Sequence, residues 1–269
     1  MAILIPTIVL GGLGLIFGLW LAFALKIFHV ETDPRAEQIL KILPGANCGA
    51  CGFAGCQGFA EALIRGKTEL SCCALCGNEM RERLGTILGV EATQKIKRLA
   101  TLKCGGGTRC ADKYDYSGPE TCMAAEMLLG GNKACHYACL GFGDCKLVCP
   151  FNAITMGEDR LPSINPEKCT ACGKCVTACP KKVLVLTLFD KLYHIKCSSR
   201  DKGAKVMKIC KVGCIACGKC ATTCPTKAIV IKDNLAVIDY EKCINCGACF
   251  KVCPTHAIEQ GRQNERRDN

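Results

Sequence analysis

Three stretches of the chain read C-x-x-C-x-x-C-x-x-x-C-P: Cys169 to Pro180, Cys214 to Pro225 and Cys243 to Pro254. Two-residue gaps let three successive thiolates converge on one iron-sulfur cubane, and the proline after the fourth cysteine fixes φ, removes a donor and stops a helix from continuing. A looser version runs Cys135, Cys139, Cys145, Cys149-Pro150, and all four share a tail: CPFNAI, CPKKVL, CPTKAI and CPTHAI. Sites of this kind transfer single electrons without making or breaking bonds, at potentials set by burial, hydrogen bonds and local charge.

A single C-x-x-C pair serves zinc or dithiol chemistry as readily as iron-sulfur. Three complete motifs with a shared proline and tail point to [4Fe-4S] clusters. Disulfides at such spacing would join near neighbours and close few useful loops. In bacterial-type ferredoxins the fourth cysteine of each motif ligates the other cluster of the pair. That crossing rule groups Cys214, Cys217, Cys220 with Cys253, and Cys243, Cys246, Cys249 with Cys224. It also groups Cys169, Cys172, Cys175 with Cys149, and Cys135, Cys139, Cys145 with Cys179. Cys104, Cys110, Cys122, Cys197 and Cys210 remain, five candidates for the four places of a further site, the alternative being free thiols packed as small hydrophobes.

Upstream, Cys48, Cys51 and Cys56 fall within nine residues of glycine-rich chain, and QGFAEALIRGK reads as a short amphipathic helix before Cys72, Cys73 and Cys76. Three thiolates in backbone that can approach a cluster closely, with a fourth supplied after a helix, make an independent site. The total is six [4Fe-4S] clusters, five at the least.

The elements that position these thiols are small. AIVIKDNLAVID reads as two strands about a Lys-Asp-Asn turn, which makes the Cys214 and Cys243 motifs neighbours through a hairpin; AITMGEDRLPSI does the same between Cys149 and Cys169. With 27 cysteines, 28 glycines and one tryptophan, each module must fold around metal rather than around a large apolar core. The formal charge of +11 counts every thiol as neutral. A cluster with four thiolates contributes about −2, so six clusters bring the loaded protein to roughly −1, and nucleic acid is excluded as a partner. His136, His194 and His256 lie near motifs already supplied with thiolates and are read as supporting residues, not ligands. No glycine-rich βαβ nucleotide loop is present.

Ile3 to Leu25 carry no charge. Twenty-three helical residues span roughly 34 Å, enough for a hydrocarbon core of about 30 Å, and the segment lacks the basic start of a cleaved signal peptide. No Lys or Arg precedes it, whereas Lys26, Arg35 and Lys41 follow, which places the C-terminal bulk in the cytoplasm of a single-pass protein of the inner (plasma) membrane. Gly11, Gly14 and Gly18 share a side on which another membrane helix could pack closely.

NCGACGFAGC, then sixteen residues and a further cysteine, resembles the iron-sulfur domain in the B subunit of Rnf complexes, membrane-bound oxidoreductases that pass electrons between ferredoxin and NAD while pumping sodium ions or protons. The resemblance covers nearly the whole chain, and the Cys104 to Ile154 region looks like the extended, polyferredoxin form of that component. It implies Cys73 as the fourth ligand beside Cys48, Cys51 and Cys56; Cys72 and Cys76 depart from the family pattern, in which Pro-Gly-Gly follows the cysteine. It implies an α+β chain: a membrane anchor (1–28), a linker (29–43), a small helical [4Fe-4S] domain (44–80), a connector with possible extra ligands (81–134), ferredoxin modules at 135–182 and 211–260 joined by a loop (183–210), and a polar tail (261–269). The role implied is an electron-transfer subunit whose partners are soluble ferredoxin, membrane-embedded subunits and NAD- or flavin-carrying subunits. Two other readings fit the motifs: a polyferredoxin of a membrane hydrogenase, formate dehydrogenase or heterodisulfide reductase, and a membrane-tethered metal-binding protein with no redox role.

Overall fold

The computed structural model describes residues 4–27, 33–91 and 96–261. Helix α1 (Leu4–Ile27) is 24 residues long and carries its first basic residue, Lys26, in its last turn. Leu10, Ile16, Leu19 and Trp20 on it are exposed. Among the described residues no helix meets the length and apolarity set for a membrane span, so the structure by itself establishes a long helix with an exposed apolar surface.

The segment expected as a linker is helical from Pro34, and residues 29–32 lie outside the described residues. Asp33 accepts the Arg35 N–H at 2.9 Å and Pro34 opens α2 (Pro34–Ile42), a cap and a proline at the first helical position that together start a helix. Ala36, Ile39, Leu40 and Leu43 recur at helical spacing, and Ile39 is fully buried. That face packs on α3 (Gly55–Ile64) and α4 (Asn78–Leu88) around Phe59, Leu63, Leu70 and Leu84.

Two small modules of like design follow. In the first, β1 (Arg98–Leu102) pairs antiparallel with β4 (Leu184–Leu188), enclosing the hairpin of β2 (Ile154–Met156) and β3 (Pro162–Ile164). The Thr101 and Thr187 hydroxyls meet at 2.6 Å across the outer pair. In the second, β5 (Tyr193–Ile195) pairs with β8 (Ile258–Gln260), enclosing β6 (Ile229–Lys232) and β7 (Leu235–Ile238). The β6–β7 turn places Asp233 and Asn234 at φ 49° and 59°, the left-handed pair that matches hairpin twist. Each module therefore takes an outer strand from sequence expected to be connector or loop. The short helices α5 (Cys122–Met127), α6 (Asp144–Leu147), α7 (Lys174–Ala178), α8 (Gly203–Ile209), α9 (Lys219–Thr222) and α10 (Ala248–Lys251) carry or adjoin cysteines.

The loop between Cys104 and Cys110 is seated on the β2–β3 turn at Gly107. Its φ is 49°, a Cβ there would overlap the Asp159 carbonyl oxygen, and the Thr108 N–H bonds the same oxygen at 3.1 Å. Gly107→Ala should cost more than about 1 kcal/mol, since both the backbone region and the space are denied. Thermal unfolding and iron analysis check this: the variant should lose iron from the Cys104 and Cys110 loop, and full iron with an unchanged Tm would contradict it.

Candidate metal centres

The second module places Cys214, Cys217, Cys220 and Cys253 around one cavity walled by Ile195, Ile231, Ala236 and Ile258. Burial and the nearby Cys214, Cys253 and Cys217 push the Cys220 thiol up to about 11. Cys249 is raised by burial and by Cys243 and Cys246. Burial also opposes ionisation of Cys224, but the Thr226 hydroxyl and the Ala228 N–H outweigh it and hold that thiol below its ordinary value. In the first module Cys149, Cys169, Cys172 and Cys175 line a cavity with Ala100, Phe151 and Ile154, and burial with Cys169, Cys172 and Cys149 drives Cys175 up to about 11.

The shared tail acquires a physical role here. The N–H groups of Ala153, Ala228 and Ala257 point at the sulfurs of Cys149, Cys224 and Cys253 at 3.4, 3.3 and 3.2 Å. The residue before each alanine, Asn152, Lys227 and His256, is left-handed at φ 47°, 52° and 51°, which turns the chain so that the next amide faces back onto the sulfur.

The remaining thiols are divided differently from the crossing rule. One cavity is lined by Cys122, Cys139, Cys145 and Cys179, so Cys122 stands where Cys135 was expected. Burial, then Cys122, Cys175 and Cys179, push Cys145 up to about 12. Asp144 draws Cys122 in from a distant part of the sequence: its carboxylate accepts the N–H groups of Cys122 and Met123 at 2.9 and 3.2 Å, holding α5 against α6. Cys135 turns instead into a cavity lined by Cys104, Cys110, Cys197 and Cys210. Cys110 and Cys210 face each other across an isolated antiparallel bridge. A hydrogen bond between their thiols leaves the proton with Cys110 and lowers Cys210. Gly106 lies among three of them, its Cβ position 3.6 Å from the sulfurs of both Cys104 and Cys210 and 3.0 Å from Cys110 Cβ. Burial raises Cys197 to about 11, and the nearby Cys214 and Cys135 add to the shift.

In the helical unit Asn47 accepts the Cys56 N–H at 2.8 Å. Cys73 and Cys76 are buried in the core against which Cys51 and Cys56 pack, whereas Cys72 is exposed. Arg81, 2 % exposed, reaches into the turn that carries these cysteines and donates to the carbonyls of Cys76, Ser71 and Cys73 at 3.1, 3.1 and 3.5 Å. The buried arginine did not stand out in the sequence, and Cys122 was named only as one of five candidates for a further site, because the partners of both are set by tertiary packing.

Among the described residues the cysteines form no disulfide. Among the described residues no three Cys, His, Asp or Glu side chains gather as around a single metal ion; the thiols line cavities in sets, with apolar and backbone walls. His194 is buried with Nδ1 2.8 Å from the Tyr240 hydroxyl. An all-thiol donor set suits a soft metal, and clustered buried thiols resist ionising beside one another. Both features fit a positively charged iron-sulfide core, whose charge would offset four thiolates.

Comparison with known proteins assigns three stretches of the chain to iron-sulfur families. Residues 43–75 match the Fe-S cluster family (FeS), and residues 133–183 and 213–257 match the 4Fe-4S dicluster domain family. The chain is 45 % identical over 242 residues to the B subunit of the Na(+)-translocating ferredoxin:NAD(+) oxidoreductase complex of Acetobacterium woodii, covering 90 % of this chain and 73 % of that one. It is 44 % identical over 243 residues to the B subunit of the ion-translocating oxidoreductase complex of Methanosarcina acetivorans, covering 90 % and 92 %. With the B subunit of the proton-translocating ferredoxin:NAD(+) oxidoreductase complex of Clostridium ljungdahlii it shares 41 % over 239 residues, 88 % and 84 % of the two chains.

Were each of the six expected sites to hold a [4Fe-4S] cluster, the chain would carry roughly 24 iron atoms. Cys122→Ala and Cys135→Ala should each fall to about 20 while losing different signals in low-temperature electron paramagnetic resonance (EPR), and Cys197→Ala should keep the full count. Cys139→Ala is the reference: it should lose the same signal as Cys122→Ala, and its sharing a lost signal with Cys135→Ala instead would restore the sequence-based grouping.

Proposed function

Since the chain belongs to the B subunits of ion-translocating ferredoxin:NAD oxidoreductase complexes, we propose that it accepts electrons from reduced soluble ferredoxin and relays them to membrane-embedded partners. NAD reduction and translocation of Na+ or H+ then take place on other subunits. When bound, [4Fe-4S] clusters supply reversible one-electron acceptance. The ligands we assign are Cys243, Cys246, Cys249 and Cys224; Cys214, Cys217, Cys220 and Cys253; Cys104, Cys110, Cys135 and Cys210; Cys122, Cys139, Cys145 and Cys179; Cys169, Cys172, Cys175 and Cys149; and Cys48, Cys51, Cys56 and Cys73.

The observation that supports this reading is that residues near one set also lie near the next. Cys197, outside the assigned sets, has both Cys214 and Cys135 nearby. The Cys139 N–H points at Cys104 Sγ at 3.4 Å. Cys145 has Cys175 among its neighbours, and Lys174 donates to the Cys48 carbonyl at 2.6 Å. The order runs from the second module to the helical unit. That unit lies nearest α1 in sequence, for α1 ends at Ile27 and α2 begins at Pro34. We read α1 as a single-pass anchor: 24 residues rise about 36 Å, its sequence is uncharged up to Lys26, and the basic residues that follow favour a cytoplasmic C-terminal side. A hydrogenase or formate dehydrogenase polyferredoxin is less well supported, because family membership extends over the helical unit as well as the modules.

Two experiments test the proposal. A complex in which this chain lacks the Cys48, Cys51, Cys56 and Cys73 set should still have its distal clusters reduced by ferredoxin but should no longer reduce NAD; undiminished NAD reduction would place that set off the path. Deleting residues 1–28 should yield a soluble brown protein. Sedimentation of that fragment with membranes in the absence of the other subunits would contradict the anchor.

A further inference from the structure

Four cations donate to the backbone carbonyl of a cysteine assigned to a cluster. Lys133 reaches Cys110 O at 3.4 Å and Lys191 reaches Cys243 O at 3.1 Å, and each also has a carboxylate: Asp112 at 3.0 Å for Lys133, Asp190 at 3.8 Å for Lys191. Arg81 and Lys174 differ. Neither has a carboxylate at ion-pair distance among the described residues, and both address the same site, Arg81 through the carbonyls of Cys76 and Cys73 and Lys174 through that of Cys48 at 2.6 Å. Arg81 is buried on the helical unit, and Lys174 arrives from α7 of the first module.

We propose that Arg81 and Lys174 are the residues that set the reduction potential of the Cys48, Cys51, Cys56 and Cys73 site, raising it above the potentials of the sites that precede it. The inference rests on that set holding a cluster. Its physics is the sign of the charge. Reduction adds one negative charge to the site; an unneutralised cation held close by in a poorly screened setting stabilises the reduced form more than the oxidised form. Lysines already balanced by aspartates exert this effect weakly. Arginine suits the buried position because its guanidinium stays charged and its planar fork satisfies several carbonyls at once. Lys174 adds positioning: its side chain leaves the neighbouring cluster motif to hold Cys48, so the last two sites of the series are fixed side by side. The pair would make the membrane-proximal site the place where electrons collect before leaving the chain.

The test is an anaerobic redox titration of the full-length holoprotein followed by EPR, with the signal missing from Cys73→Ala identifying the cluster in question. Arg81→Met and Lys174→Met should each move that midpoint to more negative potential while leaving the second-module signals in place. Lys174→Met should move it further than it moves the Cys175 signal. Arg81→Lys, which keeps the charge, should stay near the wild-type midpoint. If Arg81→Met does not hold the cluster, Lys174→Met and Arg81→Lys decide the matter. A midpoint unmoved in Lys174→Met, or lowered as far in Arg81→Lys as in Lys174→Met, would overturn the inference while leaving the ligand assignment intact. If Cys73→Ala removes no signal, the ligand assignment and the inference fall together.

Discussion

Thiols brought together in dry cavities repel one another as soon as they ionise, and everything else in this chain is arranged around that constraint. Burial and like neighbours raise Cys145, Cys175 and Cys220 well above the ordinary thiol range, so the thiol sets by themselves disfavour the thiolates that a cluster requires. A cationic core relieves the repulsion and replaces the hydrophobic interior that such small modules cannot supply. The cysteines are themselves much of the buried cluster of residues in each module. Metal binding and folding are therefore one equilibrium outside the helices, in contrast to an enzyme whose cofactor enters a finished pocket.

The regular motifs were legible because their grouping is local: fixed gaps, a proline and a left-handed residue bring the thiols of one site within reach regardless of the rest. The hairpins were legible for the same reason. The grouping of Cys122 and Cys135 was not, since the crossing rule pairs only cysteines within the repeated motifs, whereas the Asp144 cap and the opposed Cys110 and Cys210 backbones act over distances that spacing does not encode. Strand β1 was hidden in what read as a connector: RLATL is too short for its pattern to stand out, and its partner lies beyond an entire module. The helix from Pro34 did carry a signal, an Asp-Pro start and apolar residues at 36, 39, 40 and 43, which the charged residues between them obscured.

The two modules repeat one plan, an inner hairpin enclosed by an outer pair, yet they differ in what surrounds their ligands. The Cys104 and Cys110 loop inserts between them and fills with thiols a junction that would otherwise separate two pairs of sites. Its seat on the Asp159 carbonyl and its bridge to Cys210 tie it to both modules. Continuity through the protein therefore depends on a segment belonging to neither repeat, and duplication of a ferredoxin unit alone would not have produced it.

That same bridge bears on how the protein is made. Cys110 leaves the ribosome one hundred residues before Cys210, a delay of about 5 to 20 s at ordinary rates of synthesis. The first module cannot close its outer strand pair until residue 188 has followed. Throughout that interval Cys104, Cys110 and Cys135 are newly made thiols whose fourth partner does not yet exist, while the Cys48 region is already complete. Of the assigned sites the junction waits longest for its last ligand, from Cys104 to Cys210, and oxygen or iron scarcity during growth would strike there first.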